Sequence, residues 1–381
     1  MLIALAALGG LLVLVPWLLY PAAVLGLARA WRRSRPAAHP PAPHALPHVT
    51  CVLATRDAPD VVRERVADFL AQDYPAERLD VVVGVDAAAA GVLLPALRFD
   101  DPRVRVVAGD APGGKCPALN AAVRAARGEL LVFSDARQRF APDVARKLAA
   151  ALLADARVGV TSGRLLLPAD EASGLFRLYS RFELNLRAAE ARLHSAVGVS
   201  GSVYATWRRL WAPLPAALIL DDLYVPMRLA LAGHRVGFVP DAYAHETRRV
   251  DAGQEFRRKV RTLTGNYQLC AWLPAVLVPV RNPIWLQFVC HKLLRLLLPV
   301  GVLLLGVGGA GLAWQAALAR LGARAWWLAA ALLLGALWVA AGPGRLTRRV
   351  RGAAVQFASM QAAVAVAAAH GLRGRWDVWH R

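Results

Sequence analysis

The first 28 residues, Met1 to Ala28, contain no charged side chain. A helix of about 20 apolar residues crosses a bilayer, and a chain in lipid must satisfy its backbone hydrogen bonds internally. This run therefore predicts a transmembrane anchor over residues 1–28. A cleaved signal peptide is the alternative, although the run does not start with basic residues. By the positive-inside rule, the arginines that follow place the next part in the cytoplasm: Arg29, Arg32, Arg33 and Arg35.

Apolar sequence returns near the other end of the chain. Residues 269–295 are broken by prolines and predict helices lying at the membrane interface. Residues 296–372 predict two or three membrane helices, followed by a basic tail over 373–381. The candidate spans are Leu296–Ala319, Ala325–Ala341 and the Ala-rich Gly352–His370. With 57% hydrophobic residues and a mean hydropathy of +0.40, the chain is typical of a membrane enzyme with a soluble part.

A formal net charge of +20 raises the possibility of nucleic-acid binding. However, many of the arginines flank apolar runs, and no basic helix has the spacing needed to read bases. We therefore expect membrane lipids, and no nucleic acid, among the partners. The four cysteines form no CxxC pair, which predicts reduced, buried thiols: Cys51, Cys116, Cys270 and Cys290.

Between the apolar ends, a basic and Pro-rich linker over 29–47 precedes a region with an α/β pattern. Short apolar, β-branched runs predict buried strands, and the segments between them have helical periodicity. Strand, helix and strand joined by short connections form a parallel βαβ unit. The four predicted strands of this part are Val49–Ala54, Leu79–Val85, Val104–Val107 and Leu130–Phe133.

An acid lies after each of these strands: Asp57, Asp86, Asp110 and Asp135. A single acid of this kind is as readily a helix cap. Four of them at one edge of a sheet favour a ligand site, because ligands of open α/β sheets bind outside the carboxyl ends of the strands. A Gly-rich turn and a short helix, Pro117–Arg127, precede the strand that ends at Asp135. We therefore expect a nucleotide at Asp135.

Ordered motifs from His48 to Gln268 resemble the catalytic domain of membrane-bound family 2 glycosyltransferases, the inverting enzymes that include cellulose, hyaluronan and exopolysaccharide synthases. The matching segments are Asp73-Tyr-Pro75 for the QDYP-type turn, Val81-Val-Val-Gly-Val-Asp86 for the uracil-side aspartate, Gly114-Lys-Cys-Pro-Ala-Leu-Asn120 for GKxxALN, Ser134-Asp-Ala-Arg137 for DxD, Leu220-Asp-Asp222 for TED, and Arg258-Lys-Val-Arg-Thr262 for QxxRW. The resemblance implies a GT-A fold over 48–268. It also implies a set of nucleotide-sugar contacts: Thr55, Asp57, Asp86, Lys115, Asn120, Asp135, Arg137, Arg258 and Arg261.

In this family a divalent cation held by the DxD acids offsets the charge of the leaving diphosphate. The resemblance therefore implies Mg²⁺ or Mn²⁺ on Asp135 and a UDP-linked donor. Arg137 replaces the second acid. Its guanidinium either contacts the diphosphate or pairs with Asp135, or it faces the acceptor while the metal stays on Asp135 and phosphate oxygens.

On the acceptor side, the resemblance makes Asp222 the general base that takes the proton from the attacking hydroxyl. Asp221 is a predicted N-cap of the helix that follows. Gly201, in the predicted strand Val197–Ala205, allows a sugar to approach the backbone. Thr262 replaces the tryptophan of QxxRW, which makes single-sugar transfer at least as good an interpretation as processive synthesis.

We expect an inverting, multi-pass enzyme of the cell inner membrane whose catalytic domain is cytoplasmic. It would transfer a sugar to a saccharide or lipid-linked acceptor, with export or assembly proteins as further partners. One alternative is a polyprenyl-phosphate sugar transferase, whose phosphate acceptor needs less of a general base. The other is an inactive regulatory subunit, which the altered DxD and QxxRW motifs would suit.

Overall fold

The computed structural model describes residues 1–32, 46–166, 174–247 and 252–377. Most of the predicted linker, with Arg33 and Arg35, lies outside these ranges, as does the end of the basic tail. The described residues fall into two units. One comprises 22–32, 46–166, 174–247 and 268–288 and contains the sheet; the other comprises 1–21, 252–267 and 289–377 and contains long apolar helices.

The sheet has eight strands among the described residues. In chain order they are β1 (Val49–Thr55), β2 (Leu79–Val85), β3 (Val104–Ala108), β4 (Leu130–Ser134), β5 (Gln138–Phe140), β6 (Val158–Leu166), β7 (Tyr204–Trp207) and β8 (Arg235–Glu246). Their spatial order is β3-β2-β1-β4-β7-β6-β8-β5. The β3-β2-β1-β4 half is entirely parallel, and β7 adds to β4 in the antiparallel sense. The prediction of parallel βαβ units is confirmed for that half.

The helices are α1 (Leu2–Leu14), α2 (Tyr20–Arg32), α3 (Pro59–Leu70), α4 (Ala90–Ala96), α5 (Lys115–Ala125), α6 (Val144–Ala154), α7 (Gly174–Leu193), α8 (Asp221–Leu231), α9 (Ala252–Trp272), α10 (Trp285–Phe288), α11 (Leu294–Leu296), α12 (Leu298–Leu321), α13 (Ala325–Ala341) and α14 (Arg345–Leu372). Apolar layers cover both faces of the sheet, one including α3 and α6 and the other including α5 and α8. Strands buried on both faces explain why β1, β2 and β4 are continuous apolar runs.

One sequence prediction needs correction here, and one strand was missed. The strand expected over Val197–Ala205 begins only at Tyr204, after an isolated bridge between Ser200 and Val203. Strand β8 was not predicted, because it contains Pro240 and pairs with β6 and β5, about seventy to a hundred residues earlier. Long-range pairing of this kind leaves no local signal in the sequence.

A buried arginine lies beneath the sheet in the layer that α3 forms. The side chain of Arg65 is fully buried, and its Cζ lies 3.8 Å from the ring centroid of Phe69 and 4.1 Å from that of Phe140. It pairs with Asp68, which also accepts a 3.1 Å hydrogen bond from the backbone N–H of Phe140. Burial lowers the pKa of Arg65 to about 9. These contacts join α3 to β5.

A second buried polar network lies at the amino edge of the parallel strands. Asp80 accepts hydrogen bonds from Thr50 on β1 and from Arg105 on β3, and its carboxylate lies 3.6 Å from His48 Nε2. The Thr50 hydroxyl also accepts a 2.8 Å bond from the Gly128 N–H. This network fixes three neighbouring strands at the end away from the predicted ligand.

The second unit contains three helical stretches long and apolar enough to cross a membrane among the described residues: Leu2–Trp31, which continues into the other unit, Leu298–Ala341 and Arg345–Leu372. A short 3₁₀ turn, Gly322–Arg324, separates α12 from α13, between the two spans predicted from the sequence. Helices α1 and α12 lie so close that a Cβ on Gly308 would be 2.4 Å from the backbone N of Ala6. Arg295 Cζ lies 4.4 Å from the ring centroid of Trp17.

Thr50→Val should lower the free energy of unfolding by about 1–3 kcal/mol, because it leaves Asp80 and the Gly128 N–H short of a buried partner. The control is Thr161→Val on β6. Thr161 is also 0% exposed, but its hydroxyl has no hydrogen-bond partner among the described residues, so this change should be nearly neutral. Thermal unfolding of the full chain in detergent measures both variants. Equal shifts would contradict the role of the network.

Candidate active site

The candidate site is built on the carboxyl edge of the parallel strands. Register pairs Thr55 of β1 with Val85 of β2, and Leu53 of β1 with Ser134 of β4. The residues that end these strands, or follow them, therefore share one edge. Asp57, Asp86, Asp110 and Asp135 all follow strands at this edge, as the sequence predicted, and Thr55 is the last residue of β1.

Asp86 ties the Gly-rich turn to the end of β2. Its Oδ1 accepts hydrogen bonds from the N–H of Gly114 (3.0 Å) and of Ala88 (3.1 Å). Gly113 and Gly114 have φ values of 94° and 102°, in the left-handed region that favours glycine. This conformation turns the chain into α5 and sets Lys115 at the first position of that helix.

Lys115 lies between two carboxylates. Its Nζ is 3.1 Å from Asp135 Oδ1 and 3.2 Å from Asp221 Oδ1. Burial opposes the charged form, but the carboxylates of Asp135, Asp221 and Asp222 outweigh it and raise the pKa of Lys115 above its usual value. The side chain therefore carries a positive charge at the centre of the acidic cluster.

Asp135 follows β4 and is about 42% exposed, so it is open to a ligand. Its Oδ2 lies 3.4 Å from the hydroxyl of Ser202, which precedes β7. Beneath it, Tyr204 is fully buried and stacks on Phe133, with ring centroids 4.6 Å apart. Burial raises the pKa of Tyr204, and the carboxylates of Asp221 and Asp222 raise it further. The Tyr204 phenol, buried against Phe133, therefore stays neutral.

Asp221 and Asp222 open α8. The prediction that Asp221 is the N-cap is wrong: Leu220 occupies that position, and Asp221 is the first helical residue, with its carboxylate toward Lys115. Carboxylates in the first turn suit the helix dipole. Gly201 lies against Asp222, and a Cβ there would be 3.3 Å from Asp222 Oδ2. The acceptor-side residues of the sequence analysis therefore meet at one point.

Arg137 pairs with Asp57 and not with Asp135, whereas its predicted contact with the diphosphate or the acceptor stays a prediction. Its Nε and Nη2 donate to Asp57 Oδ1 at 2.9 Å and 2.6 Å. Asp57 follows β1, the strand next to β4, and its own N–H donates to Thr55 Oγ1 at 2.9 Å. The guanidinium thus bridges two strand ends, and Lys115 is the partner of Asp135.

Asn120, on α5, holds the loop that contains Leu214. Its amide donates to the carbonyl of Leu214 and accepts from the N–H of Leu214, both at 2.8 Å. Its predicted contact with the nucleotide stays a prediction. Arg258 and Arg261 lie on α9 in the other unit, where Arg258 lies 3.9 Å from Glu255. Their predicted contact with diphosphate also stays a prediction.

Ser202 and Tyr204 were not predicted as site residues, although both belong to the segment predicted as an acceptor strand. Their signal is tertiary, because β7 pairs with β4, which sets Tyr204 opposite Phe133 and Ser202 within 3.4 Å of Asp135. A serine and a tyrosine in a strand are otherwise ordinary.

Residues 47–265 match the family described as glycosyltransferase like family 2, which is more than half of the chain. The chain therefore belongs to family 2 of the glycosyltransferases, and the predicted GT-A fold and enzyme class are confirmed. A solved relative in fold is the mannosyltransferase PcManGT from Pyrobaculum calidifontis, in complex with GDP-Man and Mn²⁺. Its TM-score is 0.68 at 25% identity, over 98% of this chain and 99% of that one.

Two curated relatives come from rhizobia. Succinoglycan biosynthesis protein ExoO of Rhizobium meliloti (strain 1021) is 34% identical over 110 residues, covering 29% of this chain and 31% of that protein. An N-acetylglucosaminyltransferase of Mesorhizobium japonicum (strain LMG 29417 / CECT 9101 / MAFF 303099) is 28% identical over 245 residues, covering 58% of this chain and 56% of that protein. The chain thus spans less than two thirds of the length of either relative.

Gly201→Ala should reduce sugar transfer by about tenfold, because the new Cβ would push the Asp222 carboxylate by a few tenths of an ångström. Gly198→Ala is the matched control, since a Cβ there meets Asp222 O and Leu223 Cδ1 at an ordinary 3.4 Å. Initial rates at saturating donor measure the effect. Equal rates in the two variants would show that Gly201 does not set the position of Asp222.

Proposed function

We propose that the protein is a membrane-bound, inverting glycosyltransferase that moves a sugar from a nucleotide-sugar donor to a saccharide or lipid-linked acceptor. The observation that carries the proposal is the convergence of Lys115, Asp135, Asp221 and Asp222 at the carboxyl edge of the parallel half of the sheet. Such an edge is where α/β folds bind nucleotides. An inactive subunit would have no need of a general base such as Asp222.

The donor would lie along the strand ends, with its base toward Asp86 and its diphosphate toward Lys115. The sequence resemblance favours a UDP-linked donor. The mannosyltransferase of similar fold was solved with GDP-Man, which supports a nucleotide sugar and brings a GDP-linked donor into the test. A charged ammonium in a partly buried site is well suited to bind phosphate oxygens.

A divalent cation, Mg²⁺ or Mn²⁺, fits the residues present. Carboxylate oxygens are the ligands these ions prefer, and Asp135 is both ionisable and exposed. No group of three or more His, Cys, Asp or Glu side chains gathers as a metal site within the described ranges. That suits Mg²⁺, which is usually held by one or two carboxylates together with substrate phosphates. When bound, the cation would offset the negative charge of the leaving diphosphate.

Asp222 would act as the general base. It would accept the proton of the acceptor hydroxyl while that oxygen forms a bond to the anomeric carbon and the bond to the diphosphate breaks on the opposite face. Attack from the opposite face inverts the configuration. Gly201 would leave room for the acceptor beside this carboxylate.

The three apolar helical stretches support a multi-pass membrane location. We propose the inner membrane with the site at its cytoplasmic face, because the first span is followed by arginines. The similarity to a succinoglycan biosynthesis protein supports a role in envelope polysaccharide. A lipid-linked acceptor is consistent with all of these features.

The full chain, purified in lipid with membranes that supply acceptor, should release nucleoside diphosphate from at least one of a panel of UDP- and GDP-sugars. Asp222→Asn should slow this release by about a hundredfold to ten-thousandfold, because the general base is lost. Its affinity for the nucleotide should stay near that of the wild type. Asp143→Asn, which changes a surface acid paired with Lys147, is the control.

Two results would contradict this proposal in different ways. Release from no donor in the panel would argue against transferase activity of this kind. Full activity of Asp222→Asn would instead show that Asp222 is not the general base. It would favour a phosphate acceptor, which needs no deprotonation of a hydroxyl.

Chelation tests the cation separately. EDTA should reduce turnover at least about tenfold, and added Mg²⁺ or Mn²⁺ should restore it, because the diphosphate then regains its counter-charge. The same concentration of EDTA pre-loaded with Mg²⁺ should have no effect. Undiminished turnover in free EDTA would show that lysine and arginine side chains of the chain supply enough counter-charge for the diphosphate.

A further inference from the structure

The ammonium of Lys115 occupies an unusual position for a residue expected to bind phosphate. It lies almost equally far from one oxygen of Asp135 and one of Asp221, at 3.1 Å and 3.2 Å. Two carboxylates from different elements, one after β4 and one at the start of α8, thus converge on a single cation.

Asp221 is the more buried of the two acids. Its side chain is only 7% exposed, and its second oxygen, Oδ2, has no hydrogen-bond partner among the described residues. An ionised carboxylate with a bare oxygen is costly to bury. A ligand that accepts electron pairs from carboxylate oxygens would remove this cost.

The residue at the usual place of the second DxD acid cannot serve as such a ligand. Arg137 carries the same charge sign as a metal ion, and it is held by Asp57 through two hydrogen bonds. The acid that shares the Lys115 ammonium with Asp135 is Asp221, supplied by α8.

We propose that Asp221 replaces the missing second acid of the metal site, and that Lys115 and a divalent cation are alternative occupants of the position between Asp135 and Asp221. This inference rests on the proposed function, because it concerns the cation that assists donor binding. Entry of the cation would displace the ammonium, which then becomes available to the donor phosphates. Lys115 would thus compete with the metal before the donor binds and assist the donor afterwards.

The test measures the affinity of the full chain in detergent for Mn²⁺ alone, without nucleotide. The electron paramagnetic resonance signal of free Mn²⁺ reports how much of the ion stays unbound. Lys115→Met removes the competing charge and should tighten Mn²⁺ binding by about tenfold. Asp221→Asn removes a ligand and should weaken it by about tenfold or more. Lys115→Arg keeps the charge and should bind like the wild type.

Asp101→Asn is the control for loss of an acid, since Asp101 pairs with Arg103 in the loop before β3. It should leave the Mn²⁺ affinity unchanged. The thermal midpoint of each variant checks that the fold is intact, and Lys115→Met serves as an independent arm if Asp221→Asn unfolds. The inference is overturned if Lys115→Met binds Mn²⁺ no more tightly than the wild type, or if a folded Asp221→Asn keeps wild-type affinity.

The same preparations are assayed for donor turnover, which separates the two proposals. The expected pattern of Mn²⁺ affinities without turnover of any donor would contradict the proposed function alone. Turnover with unchanged Mn²⁺ affinity in both variants would contradict this inference alone. If Lys115→Met weakens nucleotide binding but leaves Mn²⁺ affinity untouched, Lys115 is a phosphate ligand only, and the shared position is excluded.

Discussion

Repulsion between carboxylates is the constraint on which this site depends. Asp135, Asp221 and Asp222 all act on Lys115 at one edge of the sheet, where their like charges would push the strand end and the helix start away from each other. Lys115 offsets that repulsion from its place at the start of α5, with contacts near 3 Å to two of the acids. The Gly113-Gly114 turn places Lys115 at that position, and Asp86 fixes the turn. The charge balance thus explains the local backbone.

The substitution at position 137 changes that balance in two places. An acid there would have added a fourth negative charge beside Asp135. Arg137 instead neutralises Asp57 and joins the ends of β1 and β4. The remaining acids therefore need less positive charge than a site with two DxD carboxylates would. A single ammonium or a single metal ion between Asp135 and Asp221 is compatible with that need.

Local pattern was enough to predict the parallel half of the sheet, because β1, β2 and β4 are short, largely apolar runs, and all but one of their residues are buried. The motif resemblance was enough to find the acids. It did not reveal that Asp221 turns toward Lys115 or that Asn120 clamps Leu214, since both depend on how α8 and its preceding loop lie against α5. The late strand β8 was missed for the same reason, because its partners are distant in the chain.

The two ends of the same strands show what distinguishes a structural acid from one in a site. Asp80, at the amino edge, is 8% exposed in its side chain and is bonded by Thr50 and Arg105. Asp135, at the carboxyl edge, is 42% exposed and shares its one ammonium with a second acid. Both oxygens of the first acid are taken by buried neighbours, whereas the second is exposed enough for a ligand to reach it. A sheet fixed firmly at one edge can therefore keep exchangeable charges at the other, which is the property that donor binding and release require.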